Sequence, residues 1–276
     1  MDTIDTLAII GVGLMGASVG LAAKSRGLAR RIIGFDSDPE HLRIAEAYEG
    51  IETTNVRIQD AQLIIVCTPV DRIAAEIVRL EGQIPPSAVI TDLGSTKQRI
   101  VEAVELSSIH NQYVGSHPMA GSEKKGPAFA NPELFAGRPV ILTPTARTQE
   151  QPLKTVSDFW TALGCRVVRM SPKEHDAAVA AVSHLPHAVA SALAGCTDIS
   201  LVPVSAGGWR DTTRVAGAGP GIWTPIFREN RDAVIAALHH FSDHLASFRR
   251  LLEADDGPGI TAWLADAKRV RDALGS

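Results

Sequence analysis

The pattern of hydrophobic and polar positions divides the chain into two parts. Up to about residue 170, short apolar runs rich in Ile and Val alternate with amphipathic stretches. The runs show no polar alternation, which is typical of strands covered on both faces, as in a parallel sheet. They predict seven strands, at residues 6–10, 31–35, 62–67, 88–91, 113–115, 140–142 and 166–170.

Helical patterns fill the intervals of the first part and dominate the second. Stretches 71–79 and 96–106 carry their Ile and Val residues on one helical face, and strand–helix alternation of this kind predicts a doubly wound α/β layer. After residue 171 no convincing strand occurs. The sequence therefore predicts an α/β domain at residues 1–170 and an all-α domain at residues 171–276. Three long helices are predicted in the second domain, at 172–195, 223–253 and 260–274.

Two features interrupt the helical part. Pro186 is predicted to kink the helix at 172–195, because proline lacks the amide hydrogen that a helix interior needs. Residues 207–221 are dense in glycine and polar side chains and are predicted to form a loop.

Composition and charge restrict the partners of the protein. The 276 residues carry a formal net charge of −4, which gives no electrostatic reason to bind nucleic acid or an anionic membrane. Three widely spaced cysteines argue against a disulfide framework or a thiolate metal cluster and favour a reducing cytoplasm. The apolar segment 7–23 follows acidic residues and contains four glycines, so we expect neither a signal peptide nor a membrane span.

The first apolar run leads directly into a glycine-rich loop. In it Gly11 permits a tight turn, Gly13 lets the backbone approach a pyrophosphate, and Gly16 lets the following helix pack closely on the strand. Leu14 and Met15 begin that helix, whose unpaired N–H groups and positive dipole end suit phosphates. The loop alone is a weak signal, but its place between a strand and a helix predicts a dinucleotide site.

Asp36 is the second part of that prediction. It ends the second apolar run about twenty residues after Gly16, where a carboxylate can accept hydrogen bonds from both ribose hydroxyls of NAD. No Arg or Lys follows directly to meet the 2′-phosphate of NADP, which makes NADP the less favoured cofactor; FAD and S-adenosylmethionine are minor alternatives. The competing interpretation of Asp36 is an N-cap of the helix that starts at Pro39. Thr68 and Pro69 follow another strand and are expected at the same sheet edge.

His117 and Ser95 are the candidates for handling a substrate proton. Both follow predicted strands, at the carboxyl edge where ligands of α/β proteins bind, and histidine titrates near neutral pH. The structural alternatives are a turn histidine at 117 and an ordinary N-cap serine at 95.

Two further groups of polar residues lie in the helical part. Ser183, His184 and His187 flank the proline kink, and without a neighbouring Cys or carboxylate cluster they indicate a polar cleft or a filled kink rather than a metal site. Arg210 and Arg214 lie in the glycine-rich stretch, where guanidinium groups suit a carboxylate ligand. The alternative for Arg214 is a surface loop in which it pairs with an aspartate.

Taken together, these blocks resemble the prephenate/arogenate dehydrogenase family, the oxidoreductases of tyrosine biosynthesis. The resemblance covers nearly the whole chain in the same order. Trp223 and Asn230 fit the same pattern. The shared blocks are the glycine loop, Asp-x-x-Ser-x-Lys at 92–97, Gly-Ser-His-Pro-Met-Ala-Gly-Ser-Glu at 115–123, Ser-His-Leu-Pro-His at 183–187 and Arg-Asp-x-Thr-Arg at 210–214.

The resemblance implies a Rossmann domain, a helical dimerisation domain and an active site between them. It implies an NAD-dependent oxidative decarboxylation of prephenate or arogenate in a cytoplasmic homodimer, with no metal. His117 would be the general base, Ser95 would orient the substrate hydroxyl or His117, and Arg214 would hold a substrate carboxylate. The remaining pocket residues would be Arg210, Ser183, His184, His187, Glu123 and Trp223.

Two other functions remain open at this stage. One is a β-hydroxyacid dehydrogenase or imine reductase with the same two-domain plan. Such dehydrogenases usually use a lysine of the helical domain, and the only lysines after residue 171 are Lys173 and Lys268, near its two ends. The other is a dinucleotide-binding protein without catalytic activity.

Overall fold

A seven-stranded sheet forms the centre of the first half of the chain. The computed structural model describes residues 3–48, 51–121, 124–273 and 275. The strand order is β2-β1-β3-β4-β5-β6-β7, and all neighbouring strands are parallel except the antiparallel pair β5–β6. The strands are β1 (Ile4–Ile10), β2 (Ala29–Phe35), β3 (Leu63–Val66), β4 (Val89–Asp92), β5 (Tyr113–Pro118), β6 (Pro139–Thr143) and β7 (Arg166–Arg169).

Helices cover both faces of this sheet. Each face has its own apolar cluster, one built around Trp160 and Phe159 and the other around Ile73 and Ile77. Because both faces are covered, all four residues of β3 and of β4 are buried, which explains why these runs lack polar alternation. The helices of this half are α1 (Leu14–Ser25), α2 (Pro39–Ala47), α3 (Val70–Arg79), α4 (Gln98–Glu105) and α5 (Glu150–Ala162).

From Pro172 onward the described residues form helices and turns without a strand. The helices are α6 (Pro172–Val179), α7 (Leu185–Gly195), α8 (Gly207–Thr213), α9 (Pro220–Glu229), α10 (Arg231–Glu253) and α11 (Gly257–Asp272). The predicted class, a doubly wound α/β domain followed by a helical domain, is confirmed, and all seven predicted strands are present. The exact division at residue 170 stays a prediction.

The helical half departs from the sequence-based prediction at two places. The predicted loop 207–221 is instead helical in most of its length, because α8 and the start of α9 lie within it. The predicted helix 223–253 is interrupted at Asn230, a buried residue whose amide hydrogen-bonds outside its own helix. The irregularity expected near Pro186 is a π-helical turn, Ala180–His184, between α6 and α7.

The helical half leaves much apolar surface uncovered. The segment Pro172–Gly195 has a mean hydropathy of 1.4 and is long and apolar enough to cross a bilayer by length and composition alone. It also contains buried His175 and Asp176, which hydrogen-bond to the sheet half, and buried His184, which hydrogen-bonds to Asn230. We therefore interpret this segment as a helical region that packs inside the protein rather than as a membrane span.

Candidate active site

The glycine loop and the end of β3 meet at the point where the strand order reverses, the usual ligand crevice of such sheets. Gly11 has φ +94°, and a Cβ on it would lie 2.9 Å from the carbonyl carbon of Cys67. A Cβ on Gly16 would lie 2.0 Å from the carbonyl oxygen of Gly11. By contrast, a Cβ on Gly13 would meet nothing within 4 Å. The first and third glycines are thus required by packing, whereas the second leaves open space at the start of α1.

Asp36 lies beside this loop at the end of β2. Its two carboxylate oxygens accept hydrogen bonds from the backbone N–H groups of Val12 and Asp38, each at 2.9 Å. The N-cap of α2 is Asp38, which accepts from the N–H of Glu40, so the alternative role of Asp36 as that cap is wrong. A carboxylate oxygen can accept more than one hydrogen bond, and Asp36 keeps that capacity for a ribose hydroxyl.

An extended groove fits a dinucleotide. A cavity of about 520 Å³ beside Asp36 and one of about 440 Å³ beside Leu14 and Met15 share the walls Gly13 and Cys67–Pro69. The Oγ1 of Thr68 is buried there without a hydrogen-bond partner among the described residues. Open space at Gly13, a helix N-terminus and an unpaired hydroxyl are what a bound pyrophosphate needs. All the predicted cofactor residues except Gly16 therefore line one groove, and Gly16 packs against Gly11 and Ile9 beside it.

The sequence analysis missed cations in this groove. Arg72 and Arg79 of α3 line its Asp36 end from the opposite wall, and His41 lies 3.4 Å from the Asp36 carboxylate. Arg72 and Arg79 are distant in sequence from Asp36, so inspection of the residues that directly follow it could not find these two arginines.

A third cavity, of about 490 Å³, adjoins the Leu14–Met15 end of the groove and shares Ser95 and Gly121 with it. His117 and Ser95 line it together, and Ser95 also lines the cofactor groove. Ser95 is not the cap of α4, which begins at Gln98. His117 lies within β5 rather than in the loop after it. The two predicted catalytic residues thus lie where a substrate would meet the cofactor.

His117 forms the end of a hydrogen-bonded chain that the sequence analysis did not find. Its Nδ1 lies 2.8 Å from Nε2 of His175, and Nδ1 of His175 lies 2.7 Å from the carboxylate of Asp176. That carboxylate also accepts the N–H groups of Lys97 and Gln98, at 2.7 and 3.0 Å. α6 therefore supplies both residues that continue the hydrogen-bond chain from His117, His175 and Asp176.

Burial keeps this chain uncharged apart from the carboxylate. Loss of solvation holds the pKa of His117 well below its ordinary value, and the neighbouring His175, Lys97 and His184 shift it in the same direction. Burial also lowers the pKa of His175, against the opposing effect of its hydrogen bond to Asp176. At neutral pH both imidazoles are therefore neutral, which is the form that a general base requires.

A buried ion pair lies behind the catalytic strand. The Lys97 ammonium contacts the Asp92 carboxylate, and both side chains are fully buried. Asp92 also accepts the hydroxyl of Tyr113 at 2.8 Å and the N–H of Gly94 at 2.8 Å. Burial lowers the pKa of Lys97, and Asp92 opposes that shift. In the Asp-x-x-Ser-x-Lys block, Asp92 and Lys97 thus form a buried ion pair beneath the site, and Ser95 lines the cavity.

The Ser-His-Leu-Pro-His block forms the helical wall. Ser183, His184 and Trp223 line the substrate cavity. His184 Nδ1 lies 3.1 Å from the amide nitrogen of Asn230, and burial lowers its pKa to about 4. His187 stacks on Trp223 with ring centroids 3.7 Å apart and does not line the cavity itself. Ser183, His184 and Trp223 therefore lie together at the cavity, and His187 packs behind Trp223.

The predicted cationic residues are placed differently. Arg210 and Arg214 are exposed, and neither lines the substrate cavity. The described residues include no ion-pair partner for Arg214. The cavity instead has Lys125 and Arg138 in its wall. Their spacing from His117 in the sequence carries no motif that could have identified them. Glu123 lies outside the described residues.

No group of three potential metal ligands of the His, Cys, Asp or Glu type comes together anywhere in the part of the chain that the structure describes. The described site comprises a nucleotide groove and an adjoining polar cavity lined by His117 and Ser95.

Comparisons with known proteins agree with this arrangement. Residues 19–169 match the family described as "Prephenate dehydrogenase, nucleotide-binding domain", and residues 171–266 match "Prephenate dehydrogenase, dimerization domain". A prephenate dehydrogenase of Bacillus subtilis is 33% identical over 282 residues, which cover 98% of this chain and 76% of that protein.

Solved structures show the same similarity. Prephenate dehydrogenase from Aquifex aeolicus, in complex with hydroxyphenyl propionate and NAD+, has a TM-score of 0.91 and 31% identity over 99% of both chains. Arogenate dehydrogenase from Synechocystis has a TM-score of 0.83 and 29% identity, covering 98% of this chain and 99% of its own.

These matches confirm the family, the dehydrogenase class and the nucleotide-binding first domain that the motifs indicate. The NAD+ in the Aquifex complex agrees with the cofactor predicted from Asp36. Neither a β-hydroxyacid dehydrogenase nor a non-catalytic binding protein is supported. The chain belongs to the prephenate dehydrogenase family.

Proposed function

We propose that this protein catalyses the NAD-dependent oxidative decarboxylation of prephenate or of arogenate, its amino counterpart. The observation that carries the proposal is the position of His117. It lines the cavity next to the nicotinamide end of the groove, and its Nδ1 is engaged by His175. Nε2 is therefore the nitrogen available to a substrate hydroxyl. Family membership supports the reaction class.

In the proposed reaction His117 takes one proton from the substrate and returns it to the product. The glycine loop, Asp36 and Thr68 would hold NAD+, which would supply the acceptor for the hydride on C4 of the ring. Nε2 of His117 takes the proton of the C4 hydroxyl as that carbon becomes a carbonyl. The bond from C1 to the ring carboxylate then breaks, CO2 leaves, and its electron pair makes the ring aromatic. The phenolate oxygen takes the proton back, so His117 returns to its neutral form.

Ser95 is proposed to orient the reacting hydroxyl. It stands in the wall that the substrate cavity shares with the cofactor groove. A hydroxyl can donate and accept at once, so Ser95 can hold the C4 oxygen without competing for the proton that His117 takes. Precise orientation is the main task of the protein, because aromatisation itself makes the reaction downhill.

The two substrate carboxylates need cationic partners. Within one chain, Lys125 and Arg138 are the cations that line the cavity, and we assign them to one carboxylate. Arg214 keeps its predicted role toward the other, and we propose that it acts from a second copy of the chain because its own cavity does not include it. Arg210 and Glu123 stay predictions at the same entrance.

NAD is proposed over NADP on the charge of Asp36. Its carboxylate would repel a 2′-phosphate, whereas it can accept a ribose hydroxyl. Arg72 and Arg79 oppose this preference, but Arg79 is paired with Glu76. The Asp36 end of the groove therefore favours the cofactor without the extra phosphate.

A homodimer through the helical half is also proposed. Side chains such as Val182, Ile199 and Val204 are 70% or more exposed in the single chain, and the second matched family is described as a dimerization domain. Sedimentation velocity should give twice the chain mass of 29.3 kDa; a monomer would contradict this assignment. The predicted cytoplasmic location is kept as a prediction.

Steady-state kinetics test the proposal directly. Prephenate and arogenate are each assayed with NAD+ and with NADP+, following reduced cofactor and CO2. We expect turnover of at least one substrate, one CO2 per hydride transferred, and a kcat/KM at least tenfold higher with NAD+. Absence of turnover with both substrates would overturn the proposed function.

A further inference from the structure

His117, His175 and Asp176 form a hydrogen-bonded chain. The Asp176 carboxylate determines which ring nitrogens of the two histidines carry protons. Asp176 carries a carboxylate, which can only accept. It already accepts two backbone N–H groups at the start of α4, and these fix its orientation. Its contact with His175 at 2.7 Å therefore places a proton on Nδ1 of His175.

The same reasoning passes to the next ring. A neutral His175 with its proton on Nδ1 presents a lone pair at Nε2. Nε2 lies 2.8 Å from Nδ1 of His117, so His117 must donate its own proton there. His117 is then neutral with a lone pair on Nε2, the nitrogen open to the cavity. The opposite tautomer would direct two lone pairs at each other.

We propose that His175 and Asp176 are positioning residues that hold His117 in its base tautomer and share the proton taken from the substrate. When Nε2 of His117 accepts the hydroxyl proton, the Nδ1 proton can move to Nε2 of His175, whose Nδ1–H donates to the Asp176 carboxylate. No proton needs to leave, because the phenolate recovers it through the reverse movement. This inference rests on the proposed reaction.

The groups around His117 disfavour a positive charge on its ring, so sharing the proton with His175 lowers the cost of protonation. Lys97 lies on the loop before α4, and His184 faces the site from the π-helical turn; both disfavour a positive charge on His117. Asp92 is held by Lys97 and Tyr113. Asp176 is thus the carboxylate connected to His117 through a hydrogen-bonded ring, and it offsets the charge that the reaction creates.

The first test reads the tautomer without substrate, so its outcome does not depend on the proposed function. Long-range ¹H–¹⁵N NMR of the apo protein, with His117 assigned by a His117→Asn variant, distinguishes a protonated from an unprotonated ring nitrogen. We expect Nε2 of His117 to be unprotonated and Nδ1 protonated at neutral pH. A proton on Nε2 would overturn the proposal.

The second test separates positioning from packing with two variants of His175. In His175→Gln the amide oxygen can still accept the His117 proton but cannot take it up, whereas His175→Leu removes the acceptor. We expect kcat to fall about tenfold for Gln and at least about 100-fold for Leu, with little change in the Kd of NAD+. Equal losses in the two variants, or a kcat within threefold of the parent for Leu, would contradict the assignment.

The pH profile gives a readout that a structural role would not move. In the parent, kcat/KM should fall as the pH drops through the pKa of His117, which burial holds well below the ordinary value of a histidine. Asp176→Asn removes the negative charge that stabilises the protonated pair, so the midpoint of this fall should move to lower pH. A uniform loss of rate with an unmoved midpoint would count against the shared proton.

Discussion

The two halves of the chain bury their apolar residues to very different extents. In the sheet half, all residues of β3 and β4 are buried between two apolar clusters. In the helical half, α10 buries only Val234 among its described residues, and α11 buries none. Full burial of a large apolar side chain contributes about 1.5–3 kcal/mol of favourable free energy. Covering the exposed apolar faces of the helical half would therefore stabilise association with a second copy.

This difference assigns different tasks to the two halves. The sheet half has its own core and holds the cofactor groove, Ser95 and His117 on rigid strand ends. The helical half contributes His175 and Asp176 through α6, which is joined to the sheet half by their hydrogen bonds to His117 and to the start of α4. The proposed base, His117, therefore lies on one half, and its hydrogen-bond partners His175 and Asp176 lie on the other.

Replacing the base in the sheet half should have the largest effect. His117→Asn leaves a side chain that cannot take the hydroxyl proton, so we expect kcat to fall on the order of 1,000-fold while NAD+ binding is retained. His110→Asn, in the sheet half and outside both the groove and the substrate cavity, is the matched control and should leave kcat within about twofold. A kcat for His117→Asn within tenfold of the parent would refute its role as base.

The glycine loop offers a pair of variants that separates folding from cofactor binding. In Gly16→Ala the new Cβ would lie 2.0 Å from the carbonyl oxygen of Gly11, so we expect a loss of about 1–3 kcal/mol in the free energy of unfolding. Gly13→Ala has an extended backbone and open space, so its Tm should not change.

NAD+ titration completes that comparison. The methyl group of Gly13→Ala occupies the space where the pyrophosphate must approach the backbone, and we expect a Kd at least about tenfold higher. Unchanged NAD+ affinity in Gly13→Ala, or an unchanged Tm in Gly16→Ala, would show that the two glycines do not have these separate roles.

Arginines from the two halves should give smaller effects on substrate affinity. Arg138→Met and Arg214→Met each remove one charge-assisted contact to a carboxylate, which predicts an increase in KM for prephenate of about ten- to a hundredfold. kcat should change little, because neither side chain touches the reacting hydroxyl. An unchanged KM for either variant would remove that arginine from the substrate site.

Mixed dimers tell whether Arg214 acts across the interface. If it does, exchanging subunits between His117→Asn and Arg214→Met should restore one intact site in each mixed dimer, about a quarter of all sites after random exchange. No recovery at low substrate concentration would show that Arg214 acts within its own chain.

The sheet half was predictable because its signals are local. Continuous Ile and Val runs fix the buried strands, and glycines that pack against backbone, such as Gly11 and Gly16, have no substitute. The helical half depends on distant contacts. Asn230 breaks the predicted helix by bonding the carbonyl of Asp176, 54 residues away, and no periodicity announces such a contact.

The same distinction applies to the candidate site. His117, Ser95 and His184 lie in compact blocks whose residues identify them. His175 was missed because it appears in the first turn of an ordinary capped helix, and only folding brings it to His117. Arg138 was missed for the same reason. Some residues act through contacts with residues 40 or more positions away in the sequence. A pattern of neighbouring residues cannot identify them.

The most direct test of the central claim follows the hydrogen on C4 of the substrate. Prephenate carrying deuterium at C4 is oxidised by the purified protein with NAD+, and the reduced cofactor is examined by mass spectrometry. The account predicts one deuterium in each molecule of NADH, one CO2 released, and none of the label in water. Label in the solvent, or turnover without NADH, would contradict hydride transfer from this carbon.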